Sequence, residues 1–145
     1  MACLAMLIKE EKVDLERLVC MSLLHDFAET IVGDIAPSQN IPDHTKHQLE
    51  LDAMLEMQRE VSHQSLFDSK VFSLWREYEQ RQSSEAKLVK DLDRFEMCLQ
   101  AYEYELATGV NLEDFFRSVR GKLVDSQVSQ WFQHLEELRN KSYKS

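Results

Sequence analysis

The stretch LLHDFAETIVGDIAP, Leu23 to Pro37, places one imidazole and three carboxylates within ten positions: His25, Asp26, Glu29 and Asp34. The rest of the stretch is mostly apolar. Successive residues of an α-helix point about 100° apart, so His25 and Asp26 can share one ion only beside the helix edge, between their two directions. Glu29 falls one turn on, at i+4 from His25 and i+3 from Asp26, on the same side. A mixed imidazole and carboxylate set suits Mn, Fe, Co, Ni or Zn better than Ca, whose sites are all oxygen. The chemistry is that of a divalent cation that activates water.

A plainer account is open for the same residues. A lone His-Asp pair occurs by chance in many proteins, with the carboxylate solvated and the imidazole bordering the core. Asp34 follows Gly33 at the start of a Pro-containing loop, where a carboxylate is more often a turn cap than a ligand. A second acidic cluster lies at KLVKDLDRFEM, with Asp91, Asp93 and Glu96 in an amphipathic segment. Leu88, Leu92, Phe95 and Leu99 mark its buried stripe. Asp93 sits near the edge of that stripe, and periodicity alone makes it a boundary charge paired with Lys90 or Arg94.

The elements that must position these groups are helical. Three glycines, two prolines and no β-branched alternation favour helices joined by short turns. Met1 to Ile8 is expected to be the end of a helix. Asp14 caps a second helix that runs to about Val32, where Gly33 permits the stop. The segment 34–43, with Pro37 and Pro42, is an ordered loop. A third helix, with Leu49, Ala53, Leu55 and Met57 inward, reaches about Val61, and a fourth spans roughly Leu66 to Arg81. Ser83 or Ser84 caps a long helix ending at Gly109. Helices near Leu112–Val119 and Ser126–Asn140, anchored by Phe115, Phe116, Trp131, Phe132 and Leu135, complete the chain. Lys141 to Ser145 form a frayed tail.

Composition narrows the function classes. The chain has 145 residues and 43% hydrophobic content, enough for the core of one domain over 1–145. Lys and Arg total 17 against 26 Asp and Glu, and the net charge of −9 repels a nucleic-acid backbone. A small phosphorylated ligand is acceptable only if cations offset the carboxylates. No stretch approaches the roughly 20 apolar residues of a bilayer span, and no signal peptide is evident, so a soluble, intracellular and cytoplasmic protein is expected. Cys3, Cys20 and Cys98 lack CxxC spacing and are expected to be small buried hydrophobes in a reducing compartment.

Three stretches carry a resemblance beyond the His-Asp pair: LLHDFAETIVGDIAP, NIPDHTKHQLELDAM and LWREYEQRQSSEAKLVKDLDRFEMCLQAYEYE, together covering most of Leu23 to Glu105. Here the chain resembles the HD-domain metal-dependent phosphohydrolases, above all their 5′-deoxynucleotidases. The resemblance implies an all-α, single-domain bundle of about six helices and a homodimer. It also implies a divalent cation (Mn, Co, Mg or another) and removal of the 5′-phosphate from deoxynucleoside monophosphates.

Carried over by position, His25, Asp26 and Asp93 bind the metal. Glu29, Asp34 and the backbone of Ile35 bind a second cation or contact substrate. Glu29 orients or deprotonates the attacking water, and Asp34 holds the sugar or second ion. Lys87 and Lys90 balance phosphate charge, although on residue type alone they are solvated lysines. The family's further histidine ligand stands upstream of the segment matching ACLAMLI, just before Met1 here. His44, His47, His63 and His134 lie in no equivalent context, and the first two are expected at the surface. The chain is therefore expected to be an N-terminally truncated form of impaired activity. The alternatives are a non-catalytic helical interaction protein or a nucleotide-binding regulator with the same fold.

Overall fold

The longest helix organises the molecule. In a computed structural model, which describes residues 1–10, 12–35, 41–61 and 63–142, Ser84–Thr108 forms one unbroken helix, α7. The Ser83 hydroxyl accepts the Ala86 amide at 3.2 Å at its start, and Gly109 ends it in the left-handed conformation at φ 70°. Its buried Leu88, Val89, Leu92, Phe95, Cys98 and Ala101 form the spine of the main hydrophobic cluster.

The other helices precede or follow α7. They are α1 (Ala2–Ala5), α2 (Leu15–Leu24), α3 (Glu29–Val32), α4 (Asp43–Glu60) and α5 (Gln64–Leu66). A widened π-type turn, Phe67–Phe72, leads into α6 (Ser73–Gln80); α8 (Glu113–Val119) and α9 (Ser126–Ser142) follow α7. All regular structure among the described residues is helical, and none of these helices is long and apolar enough to cross a membrane.

Two apolar clusters meet along α6. Leu18 and Met21 of α2, Phe116 and Val119 of α8, and Val128, Phe132 and Leu135 of α9 pack on α7. Ala28, Ala53, Met54, Phe67 and Trp75 form the second cluster beneath α4. Trp75 and Tyr78, one turn apart on α6, are buried in one cluster each.

Three carboxylates of α7 are buried without belonging to any site, because each accepts hydrogen bonds that tie a distant segment down. Glu85 accepts the Asp14 amide at 3.0 Å and so joins the starts of α2 and α7. Asp91 accepts the amides of Val124 and Asp125. Glu105 accepts the Leu112 amide and the Arg139 guanidinium, which also lies 4.1 Å from the centre of the Phe116 ring.

Several boundaries differ from expectation. The second helix does not run through to Val32. After Leu24 the chain tightens into i→i+3 bonds, from the Phe27 amide to the Leu24 carbonyl and from the Glu29 amide to the Asp26 carbonyl. The break turns the chain from the first cluster to the second, burying Ala28 and leaving Leu23 in solvent. Likewise α4 buries Ala53 and Met54 while Leu49 is exposed, and in α8 Phe116 is buried while Phe115 is exposed.

Cys98 is buried, and desolvation pushes its thiol up to about 12, whereas Cys3 is exposed and Cys20 only partly buried. Helix α9 includes Lys141 and Ser142; the remaining tail residues, 143–145, and Pro37 of the expected loop lie outside the described residues.

Candidate functional site

His25 is the residue at which α2 stops. Its Nδ1 lies 2.9 Å from the Ser22 carbonyl oxygen. A carbonyl only accepts, so Nδ1 carries a proton, and Nε2 is the nitrogen turned toward Asp26. Nε2 lies 2.7 Å from Asp26 Oδ2, and the His25 side chain is 8% exposed. Burial opposes charge on the ring. The Asp26 hydrogen bond and charge outweigh it, helped by Asp93 and the Ser22 carbonyl, and hold the imidazole above its ordinary value.

The tight turn after His25 brings Asp26 and Glu29, three residues apart, onto one edge. Burial raises the Glu29 carboxyl, the charges of Asp26 and Asp34 raise it further, and Lys46 opposes them. Lys46 lies 3.7 Å from Glu29 and 3.5 Å from Glu50 across the face of α4. Burial also raises Glu50, against the pull of Lys46.

The two aspartates of KDLD have different places. The side chain of Asp91 is 2% exposed and turned toward the 124–125 backbone, at 2.6 and 2.8 Å. Asp93 sits on the side facing His25, where its charge reaches the imidazole. Lys90 links Asp93 to the site, with Nζ 2.7 Å from Asp93 Oδ2 and 3.4 Å from the Tyr78 hydroxyl. The Tyr78 ring stands edge-on to His25 at 5.5 Å.

His25, Asp26, Glu29, Glu50, Tyr78 and Lys90 line a cleft of about 390 Å³ where α2, α4, α6 and α7 meet. Its carboxylates are Asp26, Glu29, Asp43, Glu50 and Glu79; its cations are Lys46, Arg81 and Lys90. Five against three leaves the wall acidic before its two histidines are considered. Ile35 borders the cleft.

Three expected residues do not line it: Asp93, which meets it only through its bond to the lining Lys90, and Asp34 and Lys87. Asp34 borders a neighbouring hollow with Ile31 and Asp52, although its charge still reaches Glu29 and Lys46. Lys87 faces a separate hollow beside Asp91 and Asp125.

The cleft is also lined by His47, for which only a surface position is expected, and by Tyr78, Glu79 and Arg81, which no sequence signal singles out. His47 is exposed as expected yet lines the cleft, with Nδ1 2.9 Å from Glu79 Oε2 and its ring parallel to Trp75. The Lys46-to-Glu50 spacing was the available signal for an inward polar face on α4. Nothing comparable marked the end of α6.

The residues fit a divalent cation in donor chemistry and partly in placement. A backbone carbonyl holding Nδ1 is the arrangement that metal-ligating histidines adopt, since it directs Nε2 at the ion. Ligands about 2.0–2.2 Å from an ion lie roughly 3 Å apart when adjacent, close to the 2.7 Å between Nε2 and Asp26 Oδ2. Asp93 is engaged by Lys90, and among the described residues no group of three or more His, Cys, Asp or Glu converges closely enough to hold an ion.

Comparison with known proteins bears on the same residues. A family model described as HD domain matches residues 1–131. The chain is 42% identical over 142 residues to the protein named 5′-deoxynucleotidase HDDC2 from Homo sapiens, covering 97% of this chain and 69% of that protein. Its identity to the Bos taurus protein of that name is 41%, covering 97% of this chain and 68% of the relative. The solved structure of HD domain-containing protein YGK1(YGL101W) superposes with a TM-score of 0.77 at 23% identity, covering 99% of this chain and 74% of that one. This chain belongs to the HD domain family.

Proposed function

We propose that this chain is a metal-dependent nucleotide phosphohydrolase that removes the 5′-phosphate from deoxynucleoside monophosphates. One structural observation carries the reading: Ser22 holds the Nδ1 side of His25, and the other ring nitrogen meets Asp26 at the rim of a cleft that Asp93 flanks through Lys90. The name 5′-deoxynucleotidase, borne by relatives about 40% identical over nearly the whole chain, supports the substrate class. The cleft volume suits a small molecule. The net charge of −9 and the acidic wall disfavour a nucleic-acid polymer.

His25, Asp26 and Asp93 would hold the cation, and binding would displace the proton that His25 otherwise shares with Asp26. When bound, such a cation lowers the pKa of a coordinated water and screens the phosphate dianion. The remaining work falls to the protein. Glu29, raised by burial and by its acidic neighbours, is a stronger base than a solvated carboxylate, suited to taking a proton from the attacking water. Lys46 keeps Glu29 and Glu50 compatible in one buried corner. Lys90 balances Asp93 from the other wall. Asp34, displaced from the cleft, acts at most through its field on Glu29, and Lys87 takes no part.

A Mn, Co or Mg ion and a homodimer complete the proposal. The test is free-phosphate release from dAMP by the purified chain with Mn or Co. Release that disappears in Asp26→Ala supports the reading, and absence of release from the parent chain under either metal sinks it.

A further inference from the structure

Two of the three cations lining the cleft already have carboxylate partners. Lys46 sits between Glu29 and Glu50, and Lys90 is bonded to Asp93. The Arg81 side chain makes no hydrogen bond or ion pair among the described residues.

Its backbone is unusual as well. At φ 51° and ψ 34°, Arg81 is the non-glycine residue with positive φ among the described residues, at the end of α6 where glycine or asparagine is the ordinary choice. Its amide donates to the carbonyls of Glu77 and Tyr78, so the turn is closed and fixed. The same turn carries Tyr78, whose ring stands against His25. Burial and the charges of Asp93 and Asp26 raise the Tyr78 phenol, while Arg81 acts in the opposite sense, which places the guanidinium's field over the same corner of the cleft.

We propose that Arg81 is a substrate-binding residue that grips the phosphate of the nucleotide, facing the His25 and Asp26 pair. The proposal rests on the phosphohydrolase reading and deepens it. A guanidinium presents a planar fork that meets two phosphate oxygens at once, and this one has no competing carboxylate to displace. Lys46 and Lys90 would first have to give up their partners. The consequence is selectivity for the phosphorylated nucleotide over the bare nucleoside, supplied by a residue remote in sequence from the metal pair.

The test titrates inorganic phosphate into the purified full chain by calorimetry, with R81Q, R81K and R81G beside the parent. Loss of a charge-assisted, bidentate contact should weaken phosphate binding by about tenfold or more in R81Q and R81G. R81K should fall between them and the parent. R81G should melt no lower than the parent, because glycine adopts the left-handed turn freely; this separates lost binding from lost folding.

Equal phosphate affinity in R81Q, R81G and the parent overturns the proposal, as does a parent chain that binds no phosphate. A dAMP assay separates the two readings. Turnover by the parent with unchanged KM and kcat in R81Q removes Arg81 alone. Arg81-dependent phosphate binding with no turnover of dAMP under Mn or Co removes the deoxynucleotidase reading and leaves the anion site standing.

Discussion

Asp91 and Asp93 are two residues apart on one helix, and the structure gives them opposite kinds of importance. Asp91 accepts two backbone amides, Val124 at 2.6 Å and Asp125 at 2.8 Å, and a longer bond from Arg94 at 3.3 Å. Hydrogen bonds to a charged group are worth about 1.5–3 kcal/mol each, and the two amides lose theirs together in Asp91→Ala. We therefore expect a loss of roughly 3–5 kcal/mol, or about 10 °C in melting temperature for a chain of this size. Asp93 is part-exposed and pairs with a part-exposed lysine, an interaction worth about 1 kcal/mol or less.

Asp93→Ala should therefore melt within about 3 °C of the parent. The metal readout should run the other way. Elemental analysis after exposure to Mn should show a clear drop in Asp93→Ala and near-parental content in folded Asp91→Ala. Urea denaturation supplies the stability arm. Unchanged metal content in Asp93→Ala would refute the assignment, and a stability loss there as large as that of Asp91→Ala would refute the packing argument.

Three further outcomes are expected. Hydrogen bonds from Arg120 and Arg139 hold the Glu113 carboxyl down to about 2 from an ordinary 4.5; its stabilisation is complete above the ordinary value and lost as pH falls toward 2. Melting curves at pH 6 and pH 3 should converge more closely in Glu113→Gln than in the parent, and an unchanged gap would refute this. Arg139→Met leaves Glu105 buried without its main cationic partner and should cost about 3–5 kcal/mol in urea denaturation; a loss under about 1 kcal/mol would mean that the pair is not desolvated. Ser22 Oγ is buried without a hydrogen-bond partner among the described residues, so Ser22→Ala should be neutral or stabilising by up to about 1 kcal/mol. A lower melting temperature would show that the hydroxyl has a partner.

Much of this protein was legible locally. Asp14 capping α2, Ser83 capping α7 and Gly109 closing it follow from hydrogen bonds and backbone preferences spanning at most a few residues. The stripe of Leu88, Leu92 and Phe95 followed from helical period, and the all-helical class from the lack of strand patterning. The pairing of Lys90 with Asp93 was also within reach, being an i,i+3 contact.

What period cannot say is which neighbour a helix face will meet. The break at His25 exists because the chain must cross from one apolar cluster to another, and nothing within the helix encodes the position of the second cluster. Asp91 and Asp93 both border the same stripe, and only the arrival of residues 124–125, more than thirty positions on, makes the first a structural acceptor and leaves the second to pair with the cleft-lining Lys90.

Lys87 and Lys90 part company for the same reason, and so do Asp34 and Glu29. His47, Glu79 and Arg81 enter the site because α4 and α6 pack beside the end of α2. Residue types and spacing thus determined the elements and the chemistry on offer, whereas burial shared between distant helices decided which of those groups face one another.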